Sequence, residues 1–189
     1  SLEEQSSANN SRRKKEISLI EGEISTIEIK VSEKLDLSTS YEKTLNDFGD
    51  VESELNELKV YDSRFKDKKK ALNKEYKFFE KNDSCPTCQQ TITENLRTNK
   101  KTEITTSLNE LETATDKLKS NLETILKRVQ DKQLIMTDLR EVQQKISSYN
   151  KEIQWKKKEI KKIEDKISTG GNLNIKEEKK KLKDLAGDG

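Results

Sequence analysis

Cys85 and Cys88 are the residues of this 189-residue chain whose type and spacing are best suited to chemistry. The chain has no other cysteine and no histidine, so these two thiols are its only thiolate or imidazole ligands for a metal ion. Pro86 and Thr87 separate them, and a two-residue spacing lets one turn present both sulfurs to a single metal ion. The pattern therefore predicts a metal site, and zinc is the metal that such thiolate pairs commonly hold.

The predicted zinc site is incomplete within one chain. Structural zinc takes four ligands in a tetrahedron, and one chain supplies two thiolates. Two chains meeting at this turn would supply four, which predicts a homodimer with two-fold symmetry and one zinc ion shared by two chains. Asp83, Glu94 or water could fill the remaining positions instead, although mixed sites of that kind are less common for structural zinc.

Two other interpretations of the cysteines stay open. Cys85 and Cys88 could form a disulfide and act as a redox switch, although redox CxxC motifs normally lie where a strand leads into a helix. They could also be incidental to a plain structural rod. Without histidine the usual serine and cysteine triads are ruled out, and the sequence has no GxxxxGK[ST] phosphate loop. We expect no enzyme activity in this chain.

The composition indicates long helices rather than a compact globular core. Charged residues make up 39% of the chain and hydrophobic residues 29%, with a single proline. The net charge of +2 argues against a surface that binds nucleic acid along its whole length. No apolar run is long enough to span a membrane, so we expect a soluble, intracellular protein. The first residue is Ser1 rather than methionine, which suggests a piece of a longer protein.

Apolar residues recur every three or four positions on both sides of the cysteine turn, which is the pattern of a coiled coil. In the first half these residues are Ile17, Ile20, Ile24, Ile27 and Val31, then Tyr41, Leu45, Phe48, Val51, Leu55, Leu58 and Phe65. In the second half residues spaced seven apart are Ile104, Leu111, Leu118, Ile125, Leu139, Ile146, Ile153, Ile160 and Ile167, interrupted only at Lys132. The sequence predicts an all-α fold, a long antiparallel coiled-coil hairpin with a CxxC zinc-hook turn at its tip.

The cysteine turn also predicts the register of this hairpin. If facing residues lie equally far from the midpoint of Cys85 and Cys88, apolar residues oppose each other through nine layers. Examples are Ile27 with Ile146, Ile24 with Tyr149, Ile20 with Ile153 and Leu37 with Met136. The register fails in two places. Near the tip Lys69 would face Ile104, which predicts that the helices shift or splay there. At the open end Ile160 would meet Arg13, which predicts a frayed or displaced first segment.

The pattern divides the chain into five segments. We expect a frayed N-terminal segment (1–16), a first arm (17–84), the hook turn (85–88), a second arm (89–169), and a tail or short helix (170–189) that follows the pair Gly170-Gly171. A small apolar cluster is predicted under the turn, formed by Tyr76, Phe78, Phe79, Ile92 and Leu96. Ordinary helix packing is the favoured interpretation of that cluster, and a contribution to the dimer contact is the alternative.

The cysteine turn and the arms on both sides of it resemble a known protein family. Long heptad arms flanking Cys85-Pro86-Thr87-Cys88, with Ile92 shortly after, look like the zinc-hook apex of SMC-like ATPases that repair DNA double-strand breaks. These are the SbcC type and its bacteriophage recombination-nuclease relatives. The resemblance implies that Cys85 and Cys88 bind zinc and that Pro86 and Thr87 shape the turn. This chain has Gln89 where members often have glycine, the residue that most easily adopts positive φ.

The resemblance also implies a parent protein with ATP-binding heads outside this chain. In that family the heads bind DNA ends and a nuclease subunit, while the hooks tether two molecules or close a ring. It implies a cytoplasmic location in a bacterial or phage-infected cell, or a nuclear one in a eukaryote. SMC-like ATPases of anti-phage defence also carry hooks, so the pathway stays open.

Overall fold

The computed structural model describes residues 1–187, except for the side chains of residues 171–174. Three helices account for nearly all of this range: α1 (Leu2–Phe48), α2 (Val51–Lys81) and α3 (Glu94–Gly187). The prediction of an all-α fold in which long helices pack against each other is confirmed. The chain forms two compact units, which we call unit 1 (Ser1–Lys43 with Thr137–Gly189) and unit 2 (Thr44–Met136).

The N-terminal segment is helical, contrary to the frayed state expected for residues 1–16. The backbone N–H of Glu4 donates a hydrogen bond to the Ser1 hydroxyl at 3.3 Å, and Glu3 and Glu4 lie in the first turn of α1. A serine cap satisfies one of the free N–H groups at a helix start, and acidic residues there interact favourably with the helix dipole. Local capping therefore supports a helix in a segment that lacks the heptad pattern of apolar residues. The helix face formed by that pattern is called the seam here.

The second arm does not end at Gly170-Gly171, where the sequence predicts its boundary. Helix α3 continues through both glycines to Gly187, and a side chain at Gly170 would meet only the end of the flexible Arg13 side chain, at 3.8 Å. Each glycine costs a helix about 1 kcal/mol relative to alanine, so α3 continues through two unfavourable positions. Residues 188–189 of the predicted tail lie outside the described residues.

The first arm is broken between Phe48 and Val51, where the sequence predicts one continuous seam. Gly49 has φ 63°, in the left-handed region, and ends α1. The Asp50 carboxylate then accepts a hydrogen bond from the Ser53 N–H at 3.1 Å and caps α2. A left-handed glycine followed by an aspartate cap is a standard way to end one helix and begin another.

Two positively charged side chains of α3 donate hydrogen bonds to the backbone where α1 ends. The Arg128 guanidinium donates to the Phe48 carbonyl at 3.1 Å, and the Lys132 ammonium donates to the Gly49 carbonyl at 3.3 Å and to the Glu52 carboxylate at 2.9 Å. These carbonyls belong to the helix end that has no hydrogen-bond partner of its own. Lys132, which interrupts the heptad spacing of the second arm, thus caps the end of α1. Its hydrogen bond lowers the pKa of Glu52, so this pairing is lost as the pH falls through that pKa.

Two glycine substitutions should have opposite effects on stability. Gly49→Ala should destabilise by about 1 kcal/mol, because a Cβ is unfavourable at positive φ. Gly22 lies inside α1, and a Cβ there would meet nothing within 4 Å beyond its own helix backbone, so Gly22→Ala should stabilise by about 0.5–1 kcal/mol. Urea unfolding followed by circular dichroism measures both. Equal shifts of the same sign would show that the backbone conformation at Gly49 does not matter for stability.

The core of unit 1 is a cluster of isoleucines between α1 and α3. Ile24, Ile27 and Ile153 are buried there. The partly buried residues packed against them are Ile20, Val31, Tyr149 and Ile160. The seam of α1 then passes through buried Ser38, seven positions after Val31, rather than through exposed Leu37. The predicted pairing of Leu37 with Met136 is wrong, since both residues are exposed.

Polar contacts show that α1 and α3 run antiparallel in unit 1 in a register different from the predicted one. The Lys156 ammonium pairs with Glu23 at 2.6 Å, and the Arg13 guanidinium donates to the Lys166 carbonyl at 3.4 Å. The predicted register puts Arg13 opposite Ile160, which instead packs on the isoleucine cluster. Facing residues on α3 are thus displaced away from the turn by about one heptad. A heptad pattern repeats every seven residues, so apolar residues still face each other after such a shift.

The heptad positions of α3 form the seam of unit 2. Four of the predicted residues spaced seven apart are buried, namely Ile104, Leu111, Leu118 and Ile125. Val51, which directly follows the Asp50 cap of α2, is fully buried. Near the tip, where the sequence predicts that the helices shift or splay, the Lys101 ammonium lies 5.3 Å from the centre of the Tyr76 ring, whereas a constant register would put Arg97 opposite Tyr76. This displacement has the same direction as the one in unit 1.

Among the described residues, no helix combines the length and the hydropathy needed to cross a membrane. The seams are apolar, but charged residues occupy the faces between them.

A candidate metal centre at the tip turn

The segment between α2 and α3, residues 82–93, is called the tip turn here. Asn82 ends α2, and both its backbone N–H and its side-chain amide donate to the Phe78 carbonyl, at 3.2 and 2.9 Å. Thr93 starts α3, because its hydroxyl accepts a hydrogen bond from the Leu96 N–H at 3.2 Å. Asparagine and threonine are both effective at helix ends, since their side chains bond to the free backbone groups. The caps set where each helix stops and where the turn begins.

Two short extended segments of the tip turn pair with each other. Ser84 and Thr91 form an antiparallel bridge. The Cys85 N–H donates to the Gln90 carbonyl, and the Ile92 N–H donates to the Asp83 carbonyl, both at 2.8 Å. This small ladder joins the two sides of the turn just below the cysteines, so Cys85 and Cys88 lie in the loop that it closes.

The loop from Cys85 to Gln89 is closed by one hydrogen bond and one unusual backbone conformation. The Gln89 N–H donates to the Cys85 carbonyl at 2.8 Å, and Gln89 has φ 58°. It is the only non-glycine residue with positive φ among residues 1–187. A left-handed conformation costs a non-glycine residue about 1–2 kcal/mol. Gln89 thus adopts the conformation for which glycine would be favoured at this position.

The two cysteines are close together and reduced. They lie 3.5 Å apart, and both are free thiols. Cys88 is exposed and Cys85 is half-buried. The backbone N–H groups of Cys88 and Thr87 point toward the Cys85 sulfur and lower the pKa of that thiol, because they stabilise its thiolate. Backbone N–H groups directed at a thiolate offset its negative charge, as they do around metal-bound thiolates.

The spacing of the thiols fits half of a tetrahedral zinc site. Two thiolates that bind one zinc ion at about 2.3 Å with tetrahedral angles are about 3.8 Å apart, close to the separation of these cysteines. The carboxylates that could complete a site within one chain are engaged elsewhere, since Asp83 and Glu94 both pair with Arg97. Within residues 1–187, no three histidine, cysteine or acidic side chains are grouped as metal ligands. The turn of one chain therefore brings together two thiols, of which Cys88 is exposed.

Arg97, in the first turn of α3, holds the base of the tip turn and was not singled out from the sequence. Its guanidinium bonds to the Asn82 carbonyl at 3.1 Å, to Asp83 Oδ1 at 2.7 Å and to Glu94 Oε1 at 3.1 Å. The sequence offers one signal, which is that Glu94 and Arg97 are three residues apart on one helix. The contacts with Asn82 and Asp83 depend on how the chain folds back and have no sequence pattern.

The apolar residues predicted to lie under the turn differ in exposure. Ile92 is buried, and Tyr76, Phe78 and Phe79 are half-buried, whereas Leu96 is exposed. The Phe78 and Phe79 rings meet edge to face with centroids 5.3 Å apart. Because the Ile92 side chain is already covered within the chain, its placement agrees with ordinary packing support of the turn. Any contribution of Phe79 to a dimer contact stays a prediction.

Comparison of the sequence with known protein families finds no family that matches it. Comparison with curated proteins likewise finds no matching relative. The chemistry of the tip turn has to be deduced from its own residues.

Proposed function

We propose that this chain is a zinc-dependent homodimerisation module, in which Cys85 and Cys88 of each of two chains bind one shared zinc ion. The observation that carries the proposal is the pair of thiols 3.5 Å apart at a turn that joins two helices. Exposure of Cys88 leaves the pair accessible to a second molecule. Two such pairs supply the four thiolates of a structural zinc site and relate the chains by a two-fold axis.

The helices on the two sides of the turn extend this role from metal binding to tethering. A zinc ion shared at the turn would connect the two chains and whatever each chain is joined to. By the resemblance of its arms and CPxC turn, the module belongs to an SMC-like ATPase of DNA double-strand-break repair or recombination, with ATP-binding heads that bind DNA and a nuclease subunit. A hook of an SMC-like anti-phage defence ATPase is the alternative setting for the same chemistry.

Native mass spectrometry of the chain, purified with zinc, tests the proposal. We expect a dimer that holds one zinc ion and that dissociates into metal-free monomers when a chelator is added. Acid should have the same effect, because the ligands bind as thiolates and protons compete with the metal. A dimer that persists unchanged without metal would support a plain structural rod, and a monomer that binds zinc alone would also contradict the proposal.

A redox switch is the second candidate, and one observation favours it. The lowered pKa of the Cys85 thiol, together with the closeness of Cys88, suits attack of a thiolate on an oxidant. Loss of two protons and two electrons to a disulfide oxidant would join the two sulfurs within one chain. The same mass measurement separates the candidates, because the switch gives a metal-free chain lighter by two hydrogens.

A further inference from the structure

Arg97 joins the two sides of the tip turn at its base. It lies in the first turn of α3, and its side chain is only 18% exposed. The guanidinium reaches Asn82, the residue that ends α2, and Asp83, the next residue along the chain. On its own helix it pairs with Glu94. One planar group thus binds the end of α2, the start of the turn and the start of α3.

The base of the turn transmits its geometry to the cysteines through the backbone. Arg97 binds the Asp83 carboxylate. The Asp83 backbone carbonyl accepts a hydrogen bond from the Ile92 N–H, which is the first hydrogen bond of the ladder. The next hydrogen bond runs from the Cys85 N–H to the Gln90 carbonyl. A change in the separation of the helix ends would therefore move Cys85 relative to Cys88.

The contacts of Arg97 suit a geometric function better than a purely stabilising one. Its ion pairs are with exposed carboxylates, and such pairs contribute about 0–1 kcal/mol. Its Nε is buried and has no hydrogen-bond partner among the described residues, which is unfavourable. A guanidinium, however, holds several acceptors at fixed angles, and a lysine ammonium does not.

We infer that Arg97 is a positioning residue for the metal site, which sets the separation of the two thiols by fixing the base of the tip turn. The inference rests on the proposed zinc-binding function. Residues that orient metal ligands without touching the metal typically change metal affinity by about 10- to 100-fold when they are replaced. Arg97 has no hydrogen bond with either cysteine, so it would orient these ligands only through the backbone of the turn.

A zinc titration of the dimer tests this inference in the intact chain. Arg97→Ala should raise the zinc concentration at half-maximal dimerisation by about 10- to 100-fold, while the fully dimeric plateau at saturating zinc stays unchanged. Cobalt substitution gives a second measurement, because absorption by tetrahedral cobalt reports the ligand geometry, and its bands should shift in the variant. Lys100→Ala is the matched control, since Lys100 lies on the same helix and pairs only with exposed Glu103 among its ion-pair partners in the described residues. The control should leave both measurements unchanged.

Two further variants keep the test decisive if Arg97→Ala loses helix content. Asp83→Asn removes one partner of the guanidinium and should give a smaller shift in the same direction, as should Arg97→Lys. An unchanged midpoint in these variants would overturn the inference, and so would a lowered plateau at saturating zinc, which would place Arg97 in the contact between chains. If the wild-type chain itself fails to form a zinc-linked dimer, the proposed function fails, whatever the variants do.

Discussion

Replacing Cys85 or Cys88 with serine should abolish zinc-dependent dimerisation and leave the helix content nearly unchanged. Each substitution removes two of the four thiolates from the shared site, because both chains carry it. A serine hydroxyl does not ionise near neutral pH and is a poor ligand for zinc in place of a thiolate. The helices are stabilised by their apolar seams, which neither thiol joins. Sedimentation with and without chelator measures the assembly, and circular dichroism measures the helix content.

Ser84→Ala is a suitable control for the cysteine variants. It removes a hydroxyl one position before Cys85, while the bridge between Ser84 and Thr91 uses backbone atoms and remains possible. This variant should dimerise with zinc as the wild type does. A Cys85→Ser, Cys88→Ser double variant that dimerises as tightly as the wild type would rule out the shared zinc site.

Ile27→Ala should destabilise unit 1 by about 2–5 kcal/mol. The Ile27 side chain is 6% exposed and belongs to the cluster with Ile24 and Ile153. Truncation removes buried apolar surface and leaves a cavity that two packed helices fill only in part. Urea unfolding monitored by circular dichroism at the helix band should show the transition at a lower denaturant concentration.

Ile29→Ala is the matched control, two residues further along the same helix. The Ile29 side chain is 62% exposed, so the same chemical change should alter the free energy of unfolding by no more than about 0.5 kcal/mol. Similar losses at Ile27 and Ile29 would mean that the face of α1 that packs on α3 is not the one described. The pair therefore tests the orientation of the seam as well as its strength.

The presence of long helices and the residues of their apolar seams could be predicted from the sequence, but the helix ends could not. Their spacing of seven residues predicts burial for four residues of α3, and all four are buried: Ile104, Leu111, Leu118 and Ile125. Spacing of apolar residues indicates which face of a helix is covered, and this holds wherever the partner helix lies. The ends depend on local caps. The Ser1 cap supports a helix start where the apolar pattern predicts none, and Gly49 breaks an apolar pattern that continues on either side of it.

The two thiols of the tip turn were singled out from the sequence, and the residue that holds the base of the turn was not. Cys85 and Cys88 stand out by residue type and spacing, and the structure places them 3.5 Å apart at the reversal of the chain. Gln89 shows positive φ at the position where the resemblance implies glycine. Arg97 was missed, because its contacts with Asn82 and Asp83 exist only after the two helix ends come together.

The sequence by itself determined that the chain is helical, which residues line the seams, and where the two thiols lie. Only the tertiary structure decided the register of α1 against α3, the break at Gly49 and the partners of Arg97, Arg128 and Lys132. The reason is that a heptad repeat matches itself after every shift of seven residues, so apolar spacing alone allows several registers. Polar contacts between residues distant in the chain differ from one register to the next, and they form only when the helices have packed.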